Sequence, residues 1–249
     1  RDDVESRGLG DVYKRQEYQS FVNRLYELSS GDEFISFQKN IISTKKIIIG
    51  VRTPALKKLA QEIFKEPHDG LFEYYEGKSF EETLVLGFVL AKDKNRERAI
   101  IQLNKLLPKL DNWAEVDMIA GSLEFAKDNS LKEENFEYFV KLTSIDKEFV
   151  CRFGVIGIMK FFTDKEYLLR SLEAMYAIKC DKYYVNMAIS WCIAEILTKN
   201  LQNAIEIMQK IIKNSHFNSF VINKAIQKAC ESYRISDEIK LKLKEMKIR

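Results

Sequence analysis

Proline and glycine are the scarcest structural residues in this chain, 3 and 10 among 249 positions. Sandwiches and barrels turn at the end of every strand and draw heavily on both, so the shortage argues against an all-β fold. Histidine is scarcer still. His68 and His216 stand apart from each other and from any second candidate ligand. Neither a zinc site nor a Ser-His-Asp arrangement is supported, and no metal or cofactor is expected. The four cysteines, Cys151, Cys180, Cys192 and Cys230, form no CxxC pair and sit inside apolar helical patterns. They read as buried free thiols of a cytoplasmic protein. No apolar run reaches the roughly 18 residues that span a bilayer, and no membrane association is expected. Charge of one sign is also missing. With a net charge of +3, a nucleic-acid site would have to come from segregating cations onto one face.

What the sequence does contain is helix-forming residues in helical periodicity. Hydrophobic residues make up 46% of the chain, and Leu, Ile, Lys and Glu dominate. The first sixteen residues, Arg1 to Gln16, are polar and lack the apolar stretch of a secretory signal. They resemble translated adapter sequence of the kind found at the ends of metagenomic reading frames. A non-native, disordered tail is therefore expected over 1–16, and a single domain over 17–249. From Glu17 onward apolar residues recur at three and four. Phe21, Leu25 and Leu28 form one stripe, and Phe34, Phe37, Ile41 and Ile42 the next, with Ser30-Gly31-Asp32 between them. Thr53-Pro54 suits a helix start, with Thr53 as the N-cap. Further helices are expected near 69–77, 79–92, 96–110, 113–128, 131–143, 147–161, 164–178, 181–198, 200–213, 215–231 and 236–247. Ser79, Asp164, Asp181 and Ser236 are candidate caps. Ser79 to Glu82 and Thr163 to Glu166 have the spacing of a capping box. Ile47-Ile48-Ile49 is too short to count as a strand.

Many helices joined by short loops fit a bundle or an α-solenoid. A spacing favours the solenoid: Trp113, Arg152 and Trp191 are 39 residues apart in turn, and Asp117 and Glu195 differ by 78. A period near 40 is the range of HEAT-like repeats, in which equivalent positions line one surface. The expected fold is all-α, an α-α superhelix of HEAT-like helical repeats. Trp113, Asp117, Arg152 and Trp191 are expected in a row on one face. Indole rings attract a cation, and a carboxylate nearby reinforces that potential. A guanidinium grips phosphate. A nucleotide bearing a cationic alkylated base fits such a group. Arg152 stands out because it lies within the apolar run Phe149 to Ile156, where a charge needs a partner or a role. A structural ion pair is the plainer alternative for it, and core packing for either Trp.

Four segments resemble the AlkD-like DNA alkylation repair family, in order and at matching separations. They are Gly50-Val51-Arg52-Thr53-Pro54-Ala55-Leu56-Lys57-Lys58-Leu59-Ala60, Asp111 to Asp117 with its Trp-x-x-x-Asp pattern, Arg152-Phe153-Gly154-Val155, and Tyr183 to Trp191. The resemblance covers nearly all of 17–249. It implies a monofunctional glycosylase that excises cationic N-alkylated purines of the 3-methyladenine and 7-methylguanine type from duplex DNA in base excision repair. Asp117 would be the catalytic carboxylate, Trp113 and Trp191 would contact the sugar and backbone of the lesion, and Arg152 would hold its phosphate. A bacterial monomer, cytoplasmic and associated with the nucleoid when on DNA, is implied as well. One departure stands out. Many relatives carry Trp-x-x-Arg-Glu where this chain has Trp191-Cys192-Ile193-Ala194-Glu195, and Ala194 cannot bind phosphate. Lys45, Lys46, Arg52, Lys57 and Lys58 are candidate phosphate contacts, and Lys240, Lys242, Lys244, Lys247 and Arg249 form a second basic cluster. Solvated helix faces are the plainer reading of both. Two other functions stay open: a DNA-structure-binding relative without catalysis, and a protein-interaction scaffold.

Overall fold

The computed structural model describes the backbone of residues 2–214 and 217–248, and side chains over 10–213 and 217–248. Arg1, His216, the expected helix start at 215 and Arg249 lie outside the described residues. Within them the fold is all-α, an array of packed helical repeats. The β-branched run contributes one isolated parallel bridge, Ile47 to Ser79, as its shortness implied. No helix among the described residues is long and apolar enough to cross a membrane.

The chain forms two compact units, one ending at Phe125 and the other beginning at Ala126. A single domain over 17–249 was expected. In stacked repeats each helix contacts its near neighbours, so an array divides into blocks where a globular domain would gather around one centre.

The first unit holds α1 (Asp2–Glu27), α2 (Asp32–Ile41), α3 (Thr53–Ile63), α4 (Asp69–Tyr74), α5 (Phe80–Ala91), α6 (Arg96–Leu106) and α7 (Trp113–Ala120). Its centre is α5, on which every residue is buried; α3, α6 and α7 pack around it. Such a helix can be apolar on all sides because no face meets water. It starts with the expected capping box: the Ser79 hydroxyl accepts from Glu82 N, and Glu82 accepts from Ser79 N. Gly50 adopts φ +85°, and a Cβ there would lie 2.5 Å from Ile35 Cγ1. This explains glycine at the head of the Gly50-Val51 segment. The buried Glu81 carboxylate accepts from Ile49, Gly50 and Val51 N at 2.9, 2.8 and 3.3 Å, fixing that segment against α5.

Two expectations shift here. Helix α3 begins at Thr53 with Arg52 in the capping position, one residue earlier than expected. Helix α7 stops at Ala120, where the run to 128 gives way to short 3-10 turns. Over 1–16, where a non-native, disordered tail is expected, the described backbone from Asp2 onward belongs to α1. Lys14 pairs with Glu73 at 2.8 Å, and the Tyr74 hydroxyl donates to Asp11. Charged helix formers extend a helix backward from Glu17 once its packed turns have nucleated it.

The second unit holds α8 (Lys132–Thr143), α9 (Glu148–Phe161), α10 (Leu168–Tyr176), α11 (Tyr183–Lys199), α12 (Ala204–Asn214), α13 (Ser219–Glu231) and α14 (Asp237–Glu245). Helix α9 packs on α8 and α11, and α11 on α13, a ladder of next neighbours. The α8–α9 contact is close: a Cβ at Gly157 would lie 2.2 Å from the Phe139 ring, and one at Gly154 2.7 Å from Phe139 O. Ser236 caps α14 as expected. The box at Thr163 does not form. Helix α10 starts later, Asp164 instead accepts from Tyr167 N, and Thr163 accepts from Lys199. Asp181 likewise precedes the α11 cap, Lys182, and accepts from the Asn186 side chain.

The starts of α7, α9 and α11, at 113, 148 and 183, are 35 residues apart in turn. The repeat is therefore 35 residues, against the 39 read from the sequence. Trp113, Arg152 and Trp191 are the first, fifth and ninth residues of their helices. Each lies four residues, about one turn, deeper than the last, so the spacing keeps the same helical stripe while drifting along it.

Candidate functional site

Helix α7 carries Trp113 and Asp117 one turn apart, both half-buried. Its first turn is capped by Asn112, whose side chain accepts from Glu115 N at 3.0 Å. The Trp113 indole donates to Ile41 O at 3.3 Å. The helix lies close to α5 because Gly87 has no side chain; a Cβ there would stand 2.3 Å from Ile119 Cδ1.

Beneath this start lies a polar network. The Lys46 ammonium donates to Glu115 Oε1 at 2.7 Å and to Thr83 Oγ1 at 2.9 Å, and the Thr83 hydroxyl also bonds the Tyr75 hydroxyl. The Lys46 side chain is 7% exposed and that of Glu115 not at all. Lys46, a candidate phosphate contact, thus has its ammonium engaged inside the first unit. Burial pushes the Glu115 carboxyl up to about 7, outweighing the pull of Lys46. Asp111 behaves oppositely. Burial alone would raise its pKa, but bonds from the Thr44 hydroxyl, the Asn112 side chain and Lys45 N hold it below the usual range.

In the second unit Arg152 and Trp191 come together. Arg152, on α9, is 2% exposed. One of its guanidinium nitrogens donates to Tyr184 O at 2.5 Å. The guanidinium carbon lies 5.7 Å from the Trp191 ring centre and 6.0 Å from that of Tyr184. Glu148, one turn earlier on α9, accepts from Tyr184 N at 2.9 Å. It serves the start of α11, where Lys182 offers no side-chain cap. Two residues of α9 thus fix Tyr184, and with it the rotation of the helix bearing Trp191. Lys228 of α13 lies 5.7 Å from the same indole. The Trp191 N–H is buried and finds no acceptor among the described residues. The burial of Arg152 bears on its expected role as a phosphate ligand. Most of its surface is committed to protein, and its packing on aromatic rings is what guanidinium does well.

Trp191 also lines a cavity of about 510 Å³ within the second unit, together with Ala194, Glu195, Lys228, Tyr233 and Arg234. Ala194 thus stands where a longer residue would reach into this space. Two cations line it even so, and Lys228 is paired with Glu231 at 2.8 Å.

The remaining basic candidates are surface groups. Lys45, Arg52, Lys57 and Lys58 are exposed. Arg52 stacks on Phe34 at 4.6 Å, and Lys57 lies 5.6 Å from the Phe88 ring. In the C-terminal cluster Lys240 faces Asp237 at 3.8 Å and Lys242 pairs with Glu238 at 2.6 Å. That is the pattern of a solvated helix face. In the second unit Tyr184, Glu148 and Lys228 surround Arg152 and Trp191, and in the first Glu115 lies between Trp113 and Asp117 on α7, yet no motif singled these residues out. Tyr184 lies inside a quoted segment, but its role rests on a backbone carbonyl that no side-chain pattern encodes. The Lys46–Glu115 pair spans 69 residues.

Residues 11–229 match the model of a family described as DNA alkylation repair enzyme. The match takes in 11–16, part of the expected tail. A comparison with curated proteins returned no match.

Proposed function

This chain belongs to the DNA alkylation repair enzyme family, and we propose that within it the chain is a monofunctional DNA glycosylase that releases cationic N-alkylated purines from duplex DNA. Alkylation at N3 of adenine or N7 of guanine puts positive charge on the base and weakens its glycosidic bond. Departure of the base leaves an oxocarbenium-like sugar. A fixed carboxylate stabilises that charge and orients or deprotonates the attacking water. Asp117 is assigned this role. The observation that carries the assignment is its position on α7: half-buried, one turn from the half-buried Trp113, on a helix whose start is anchored by buried polar groups. Trp113 is assigned to the sugar and backbone of the lesion. Trp191, on the second unit, is likewise assigned to the sugar and backbone of the lesion, and Arg152 to its phosphate backbone. Lys45, Arg52, Lys57 and Lys58 supply salt-dependent affinity.

The test is incubation with duplex DNA methylated at purine nitrogens, followed by separation of free bases. Release of 3-methyladenine or 7-methylguanine, leaving abasic strands that break only on later alkali treatment, is expected. Binding of the DNA without any release would instead favour a non-catalytic DNA-binding relative. A protein that neither binds nor releases would be a scaffold.

A further inference from the structure

The segment from Ile42 to Lys46 has no helix of its own, yet three alternate residues at and just before the start of α7 grip it and Ile41, the last residue of α2. Asp111 accepts from the Thr44 hydroxyl at 2.7 Å and Lys45 N at 2.9 Å. Trp113 donates to Ile41 O. Glu115 takes the Lys46 ammonium at 2.7 Å. The first two grips are partly exposed. The third is wholly inside, where a salt bridge loses in desolvation much of what it gains in attraction, so net stability is a weak reason for having one. Its geometry suggests another. Lys46 also holds Thr83 on α5, and Glu115 Oε2 accepts from Asp111 N at 3.3 Å. The pair therefore joins the Ile42–Lys46 segment, α5 and α7 at one point. Glu115 lies two residues after Trp113 and two before Asp117, so it faces inward where they face partly outward. A slip or rotation of α7 would move the indole and the carboxylate together, and would break this contact first.

We propose that the Lys46–Glu115 pair is a positioning device for base excision: it sets the start and rotation of α7 and thereby the placement of Trp113 and Asp117. Neither residue touches the substrate. The proposal rests on the glycosylase reading for its catalytic consequence, but the placement of Trp113 can be read without it. Burial acts in the same sense. Without Lys46 beside it, the Glu115 carboxyl would hold its proton more firmly and lose its reason to face this point.

The experiment uses the full chain and the double variant Lys46→Met/Glu115→Leu, which replaces the pair with apolar groups of similar size and is expected to fold. Lys46→Met and Glu115→Gln are measured beside it. Three quantities are compared: affinity for methylated duplex DNA, single-turnover excision rate at saturating protein, and indole emission of Trp113 in a Trp191→Phe background used for emission alone. The expected result is a folded double variant with near-normal affinity, an excision rate lower by roughly 10- to 100-fold, and a shifted or more quenchable Trp113 emission. A purely structural pair would lower the thermal midpoint of the single variants but leave the rate of the folded double variant unchanged, and that result overturns the proposal. If the wild type itself releases no base, the glycosylase reading falls separately. Emission then decides the placement claim: a shift supports it, and none refutes it.

Discussion

The first unit buries a lysine and the second an arginine, and the two cations serve their neighbourhoods differently. Lys46 is a point charge matched to one carboxylate, and it lies under a helix whose half-exposed residues are the candidates for chemistry. Arg152 is a planar group spread over two rings and a backbone carbonyl, and it is itself a candidate. Both lay within sequence segments that invited a phosphate-binding reading. Basic residues near a resemblance are not all surface groups, and the two most deeply buried ones bond to groups on neighbouring helices.

The comparison can be broken most forcefully at Arg152. Arg152→Ala removes the bond to Tyr184 and the packing on Trp191, and should lower stability by about 3 kcal/mol. Denaturant unfolding measures this. A loss below about 1 kcal/mol would mean the guanidinium is not a structural anchor. Next come the glycines that let helices approach. Gly157→Ala in the second unit drives a methyl into the Phe139 ring, whereas Gly87→Ala in the first meets the flexible end of Ile119. The first should cost about 2–3 kcal/mol and the second about 1. Equal costs would show that ring and aliphatic chain yield alike.

A subtler contrast is pH. The folded-state pKa of Glu115 is about 7 against an ordinary 4.5, so the fold favours its protonated form. That contribution is fully present below about 4.5 and is lost as pH rises through about 7. Thermal midpoints followed from pH 5 to 8 should decline in the wild type, and Glu115→Gln should flatten that part of the slope. An unchanged slope would place the titration elsewhere. The smallest effects are at the surface. Lys45→Ala, Arg52→Ala, Lys57→Ala and Lys58→Ala should each leave stability within about 0.5 kcal/mol, and those that meet phosphate should reduce the salt dependence of DNA binding by about one ion. Lys46→Ala should do the reverse, lowering stability with the salt slope intact.

The helices were legible in the sequence because their signals are local. The apolar rhythm gives α8 and α9 to within a residue and finds α10 to α14 with ends up to four residues off, and Ser79 with Glu82 announces the start of α5. Where a local signal had two uses it misled: Thr163 and Asp164 have the composition of a cap but serve Lys199 and a turn. The 39-residue spacing pointed to repeats because a 35-residue period plus one helical turn gives the same number. Trp113, Asp117, Arg152 and Trp191 were legible as residue types. Their burial was not, since it depends on partners such as Tyr184, 32 positions from Arg152, and Glu115, 69 from Lys46.

The most direct measurement is the single-turnover release of 7-methylguanine by the wild type and by Asp117→Asn, both at protein concentrations that saturate the methylated duplex. The account predicts release by the wild type and a rate at least roughly 100-fold lower in the variant at equal DNA occupancy. Equal rates in the two proteins would contradict it.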